Sequence, residues 1–307
     1  MLERFVPPLR IVGLLLLALW LEACSPADPA GNNNATSAEA GPQAGRNDVP
    51  SCYATVGPGV VAPPPDRAVF VLVDQTTGLD RRLQETVRSN VERLLSPGSS
   101  FTIGTFSAFS QGNFATVLAS GNLEAPLSDE QRLHLSAHKV EEMEACLAQQ
   151  AVFARQLASQ RIGEATAASA ASFSHSEIMA GLRNLSAAVR AAPAAERYVI
   201  VVSDLLEHST ATSFYASRNL REIVPEVEMA KAGEHELIAD FADARVAVVG
   251  AGLLAPESEP DRVRNVRALN ALRTYWRQWF ARSRARLVQY GEPDLTAPLG
   301  WADPPAH

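Results

Sequence analysis

Cysteine is scarce in this 307-residue chain: there are 3, too few for a disulfide scaffold, and none is arranged as the CxxC pair of a structural zinc site. A surplus of positive charge is also missing. Lys and Arg total 27 against 34 Asp and Glu, for a formal charge of -7. That is the wrong sign for a protein whose affinity would come from neutralising nucleic-acid phosphates, so no nucleic acid is expected as a partner. No apolar run reaches the about 20 residues of a membrane-spanning helix; the longest, IVGLLLLALWL, ends at Leu21. What remains is 47% hydrophobic and 20% charged, enough for one core of ordinary size plus appendages and unlike a wholly disordered chain.

Arg4 and Arg10 precede the apolar run, which gives the segment the n-region and h-region of a secretory signal. It ends in Leu21-Glu22-Ala23-Cys24. This resembles the lipobox of bacterial lipoproteins, with Glu22 an unusual occupant of its position. The resemblance implies cleavage before Cys24, diacylation of its sulfur and acylation of the new amino group. Ser25, rather than Asp, follows the cysteine, which by the same resemblance favours the outer membrane, facing the periplasm. Each buried methylene of an acyl chain contributes about 0.8 kcal/mol, and more than one chain makes anchoring stable. Residues 1–23 are therefore expected to be a removed signal peptide. Residues 24–50 are expected to be the lipidated cysteine and a flexible tether, because this stretch is rich in Ala, Gly, Pro and Asn and has almost no large apolar side chain. With Cys24 assigned to lipid, Cys52 and Cys146 remain as an even pair in an oxidising compartment. A disulfide between them is the simplest outcome, and two buried thiols the alternative.

The remainder reads as one α/β domain over residues 51–291, with a C-terminal tail over 292–307. Arg67 to Val73 and Arg197 to Ser203 are continuous apolar runs, RAVFVLV and RYVIVVS, as in strands buried on both faces. Ser100 to Phe109 contains a further strand, with Phe114 to Leu118 as a shorter neighbour, and Arg245 to Gly250 and Arg286 to Tyr290 complete the set. Between them lie helical patterns at Gly78 to Leu95, Ser176 to Ala191, Ile223 to Ala242 and Arg262 to Arg286. Helix formers without proline fill about 128–168, a long helical insertion of one helix or two. Buried strands alternating with helices predict a doubly wound, mostly parallel sheet with helices on both faces, in which ligands bind at the carboxyl ends of strands. Asp74 and Asp204 stand at two such ends.

Asp74-Gln75-Thr76-Thr77-Gly78 places a carboxylate and hydroxyls in a strand-to-helix turn. Hard oxygen ligands of this kind suit Mg²⁺. A strand ending in Asp-x-Ser/Thr, then a Ser before a helix, then a strand ending in Ser-Asp resembles the von Willebrand factor A domain, whose metal-ion-dependent adhesion site is built from three such loops. The resemblance spans about Arg67 to Gly291. It assigns Asp74 and Thr76 to the first loop, Ser176 or the less favoured Ser174 of SFSHSEI to the second, and Asp204 to the third. Two positions depart from the pattern: Gly78 replaces a hydroxyl, and Leu205 replaces the glycine that commonly follows the third-loop Asp. The resemblance implies a partner protein that supplies a carboxylate to the metal, and binding rather than turnover. No small-molecule substrate is expected. The alternative for Asp74 and Asp204 is helix capping without metal, which would leave a purely structural envelope protein with an empty site.

A rival reading uses the same residues. Asp74-x-Thr-x-Gly also resembles the first motif of haloacid-dehalogenase-type phosphotransferases, with Asp74 as nucleophile and Ser203 as the second-motif hydroxyl. The acidic pair such enzymes need for Mg²⁺ is missing from Gly250-Ala251-Gly252-Leu253, and no lysine is near the motifs. His134 and His138 have helical zinc spacing, but Leu135 stands where HExxH requires glutamate. Gly250-Ala251-Gly252 lacks the third glycine of a dinucleotide fingerprint and reads as a turn.

Overall fold

The structure, a computed structural model, describes residues 46–57, 59–107, 116–167, 176–216, 219–253 and 266–302. Cys24, Ser174 and the signal segment lie outside the described residues, as does most of the tether.

The order of elements is α1 (Tyr53–Val56), β1 (Arg67–Asp74), α2 (Arg81–Leu94), β2 (Ser99–Phe106), β3 (Thr116–Leu123), α3 (Asp129–Leu133), α4 (Ala137–Ala167), α5 (Ile178–Ala191), β4 (Glu196–Val202), β5 (Tyr215–Ala216), β6 (Asn219–Leu220), α6 (Pro225–Glu234), β7 (Ala244–Val249), α7 (Val266–Arg282) and β8 (Ala285–Tyr290). Six strands form one sheet in the order β3-β2-β1-β4-β7-β8. Every pairing is parallel except β2 with β3. This is the doubly wound α/β fold that the run of buried strands predicts.

The alternation of side chains along β1 explains why that strand shows no polar face. Val69, Val71 and Val73 pack into one core with Leu83, Val87 and Val91 of α2 and Ala154, Ala158 and Ile162 of α4. Phe70 and Leu72 face the other core, with Ile178 and Leu182 of α5 and Trp276, Trp279 and Phe280 of α7. Both faces of the pleat are covered, so both carry apolar residues. The expected insertion is two helices, and it is part of the core: α3 opens with a capping box of Ser128 and Gln131, and α4 lies on the sheet beside α2 through small alanines that allow close approach. Cys52 and Cys146 form a disulfide with a Cα–Cα separation of 5.8 Å, which ties the segment before β1 to α4.

Several boundaries differ from the pattern-based expectation, each for a physical reason. β3 runs to Leu123 as a full-length antiparallel neighbour, although ASGNL has weak strand propensity. Its half-exposed edge is held by main-chain bonding on both sides, including Asp48 N–H to Ser120 O at 2.8 Å. Gly121 is required there, because a Cβ would collide with Val49 and Phe101. Arg46 to Val49 are accordingly bound along β3 and are not free tether; Arg46 Nη1 donates to Val117 O at 2.9 Å. At the other end, residues 292–302 pack back onto α2 and are not a tail: Leu299 N–H donates to Asn90 Oδ1 at 2.7 Å and Trp301 Nε1 to Leu94 O at 3.0 Å. α6 stops at Glu234 because Glu236 turns into the left-handed region at φ 55°. The turn after α7 falls at Arg284, φ 50°, so that helix ends at Arg282 and not at Arg286.

Candidate metal centre

β1 has β2 on one side and β4 on the other, so chain connections diverge between the carboxyl ends of β1 and β4. This is the topological switch point at which doubly wound sheets place their ligands. Asp74 closes β1, and the parallel register sets Val73 beside Val202, which brings Ser203 and Asp204 next to it. The third component arrives from a bridge. Ser176 and His208 exchange main-chain hydrogen bonds at 3.0 and 2.8 Å, which delays α5 to Ile178 and pins the Ser176 side chain over the strand ends.

Three of the five anticipated oxygen donors, Asp74, Thr76 and Ser176, meet through hydrogen bonds, and Asp204 lies within electrostatic reach of Asp74. Asp74 Oδ1 accepts from the Thr76 amide at 2.9 Å and from Thr76 Oγ1 at 2.6 Å. Asp74 Oδ2 accepts from Ser203 Oγ at 2.8 Å and from Ser176 Oγ at 3.3 Å. The Thr76 and Ser176 hydroxyls are 3.0 Å apart. The Asp204 carboxylate is held by other partners, with Oδ1 accepting from Leu206 N–H at 2.9 Å and Oδ2 from the Tyr215 hydroxyl at 3.3 Å. Neither aspartate acts as the cap of a described helix; Asp80 caps α2, accepting from Leu83 N–H at 2.8 Å.

Three residues outside the anticipated metal set take part. Thr77 accepts the Asp204 amide proton through Oγ1 at 3.0 Å, so it buttresses the third loop from the first. Ser203 stands as a second hydroxyl on Asp74, and its Oγ also accepts from Leu205 N–H at 3.0 Å. Both adjoin motif residues and carry hydroxyls, and that adjacency was the available signal. Tyr215 returns to Asp204 only through the folding of the loop after β4, and nothing local marks it. Leu205 occupies φ 60°, a conformation glycine adopts without strain; a left-handed L-residue costs about 1–2 kcal/mol. Complete burial of its side chain and a 2.8 Å hydrogen bond from Trp276 Nε1 to its carbonyl hold it there.

The electrostatics are those of two carboxylates short of positive charge. Burial raises Asp74, against the lowering by hydroxyls and the Thr76 amide. Burial raises Asp204 further, and repulsion from Asp74 adds to it. No basic side chain is among the largest influences on either. Both lysines lie elsewhere, Lys139 paired with Glu142 and Lys231 with Glu228. Among the described residues no group of three or more His, Cys, Asp and Glu is placed to hold an ion. A cation here would therefore depend on two carboxylates and the hydroxyls of Thr76 and Ser176. That donor set is all oxygen, the chemistry of Mg²⁺, and a bound cation would relieve the repulsion that raises both acids.

No protein-family model and no curated protein matches the chain. Among solved structures it is similar to an aerotolerance-related membrane protein from Bacteroides fragilis, at 12% identity and a TM-score of 0.32 over 73% of this chain and 89% of that one. It is similar to the conserved hypothetical protein BatB from Bacteroides thetaiotaomicron, at 12% identity and 0.32 over 72% and 89%. It is also similar to proximal thread matrix protein 1 of the mussel byssus, at 14% identity and 0.30 over 62% and 39%. At these values the functional reading rests on the chain's own residues.

Proposed function

We propose that this protein is a lipid-anchored component of the bacterial cell envelope whose α/β domain binds a partner protein through Mg²⁺. Cys24 carries the acyl chains, the Ala- and Gly-rich segment spaces the domain from the outer membrane, and the domain faces the periplasm. No helix among the described residues is long and apolar enough to cross a membrane. Asp74, Thr76, Ser176 and Asp204 hold the metal, directly or through water, and the metal supplies an open coordination position for a carboxylate of the partner.

The observation that carries this reading is the convergence of Asp74 and Asp204 with two hydroxyls at the switch point without a basic partner. Buried like charges without a counterion are unfavourable, so their placement at a strand-end crevice favours a cation. The role is binding rather than catalysis, because the acidic pair that a phosphoryl-transferring site needs beside its nucleophile is missing. The turn after β7 supplies no further carboxylate at Gly250-Ala251-Gly252.

The test is thermal unfolding of the full-length protein with and without Mg²⁺, for wild type and Asp74→Ala. The wild type is expected to gain melting temperature with Mg²⁺ and the variant is not. Equal shifts in both, or none in either, overturn the metal reading.

A further inference from the structure

Asp204 differs from the other proposed ligands in what holds its carboxylate. Asp74, Thr76 and Ser176 bond one another through their side chains. The carboxylate of Asp204 is bonded instead to Leu206 N–H through Oδ1, at 2.9 Å, and to the Tyr215 hydroxyl through Oδ2, at 3.3 Å. These two contacts differ in kind. The Leu206 amide lies two residues on and makes a local turn of the sort aspartate forms with its own backbone, so it is kept with or without a cation. Tyr215 comes from β5, eleven residues on.

The loop that carries Tyr215 is braced from behind. Phe214, fully buried, packs edge-on against Tyr275 of α7 with ring centroids 5.1 Å apart. Its N–H donates to Glu207 O at 2.8 Å, and its carbonyl accepts from Arg221 N–H at 2.9 Å. Glu207 is itself fully buried, and its Oε2 accepts from the Met179 amide of α5 at 2.9 Å. Thr212 donates to Glu228 Oε2 at 2.6 Å, and the buried Glu228 carboxylate pairs with Arg221 at 2.7 Å and Lys231 at 3.2 Å. The main chain beside Tyr215 is thus fixed, and the phenol is presented to Asp204 from a rigid support. The ring is only partly covered and lies edge-on to His208, with centroids 5.9 Å apart, so it can turn outward while its backbone stays. A hydrogen bond to an ionised carboxylate is stronger than one between neutral groups. A cation that draws Asp204 Oδ2 into its shell gives that bond up, and the contact therefore opposes metal binding.

We infer that Tyr215 is an autoinhibitory latch on the metal centre: its hydroxyl holds Asp204 Oδ2 apart from the Asp74 cluster, and a divalent cation completes the site only by taking that oxygen from the phenol. The latch rests on the metal reading of Asp74 and Asp204 and adds its regulation, since metal affinity then depends on the position of a ring outside the ligand set.

The test is calorimetric titration of magnesium chloride into the full-length protein at pH 8, for wild type and for Tyr215→Phe, which keeps the ring and removes the donor. The variant is expected to bind Mg²⁺ at least threefold more tightly, whereas loss of a group that only supports the site weakens binding. Binding by the variant alone also supports the latch. Equal or weaker binding in the variant overturns the latch and leaves the metal reading standing; no binding by either protein overturns the metal reading, and the latch with it. Thermal unfolding in EDTA checks the contact without metal. Tyr215→Phe is expected to lower the melting temperature of wild type and to leave that of Asp204→Ala unchanged, because the partner of the hydroxyl is then gone. An equal lowering in both backgrounds, or none in wild type, shows that the hydroxyl does not act on Asp204 and overturns the latch. Should Asp204→Ala not fold, the titration decides alone.

Discussion

Replacing Glu207 by Gln tests the electrostatics of this fold most directly, because the change is isosteric and removes one titration. The folded carboxyl titrates near 8 against an ordinary 4.5, a lift worth about 5 kcal/mol between the protonation states. A carboxyl raised on folding binds its proton more tightly in the folded chain. Its contribution to stability is therefore complete below about pH 4.5 and is lost as the pH rises through 8. Between pH 4 and pH 7 wild type should lose about 3 kcal/mol through this group alone, and about 5 by pH 9. The assay is urea unfolding of both full-length proteins across that range in EDTA, scored as the difference in stability between them. Other acids, including Asp74 and Asp204, are present in both and cancel in the difference. The difference should move in favour of Glu207→Gln by about 3 kcal/mol from pH 4 to pH 7. A difference that stays flat within about 1 kcal/mol would refute the claim that Glu207 is sealed without a counterion.

Two further outcomes follow from the packing. The Cys52–Cys146 bridge spans 94 residues, so replacing both cysteines by serine should cost about 2–5 kcal/mol in urea unfolding, whereas alkylation of both Cys52 and Cys146 in unfolded, unreduced wild type would show that no bridge exists. At Gly181 a Cβ would stand 2.6 Å from Phe106 Cδ2, so Gly181→Ala should destabilise by about 1–3 kcal/mol despite the better helix propensity of alanine; a stabilised variant contradicts the close approach of α5 to the sheet.

The site was partly legible for a specific reason. Asp74, Thr76 and Asp204 sit where an apolar strand stops, and that boundary is visible in RAVFVLVD and RYVIVVSD. Ser176 is visible too, as a hydroxyl just before a helix, although the helix proper begins two residues later because His208 captures its backbone. The contacts that Tyr215 and Glu207 make were not legible. Each meets its partners across loops and helices, and no periodicity encodes a loop's return path. The ends of the domain were misread for a related reason: Arg46 to Val49 and residues 292–302 look like linker by composition, yet they satisfy main-chain and side-chain partners on β3 and α2.

The sequence by itself determined the alternation of buried strands and helices, and with it the doubly wound sheet, since strands covered on both faces must be apolar on both faces. It also determined that two aspartates end strands. Only the tertiary structure decided that these strands are β1 and β4, neighbours across the switch point, so that the two carboxylates share one buried crevice and repel. It likewise decided that Glu207 lies sealed with one oxygen unmatched. Charge and hydroxyl content are local properties, but burial and the distance between charges are set by how distant segments pack, and those two quantities govern what the carboxylates can bind.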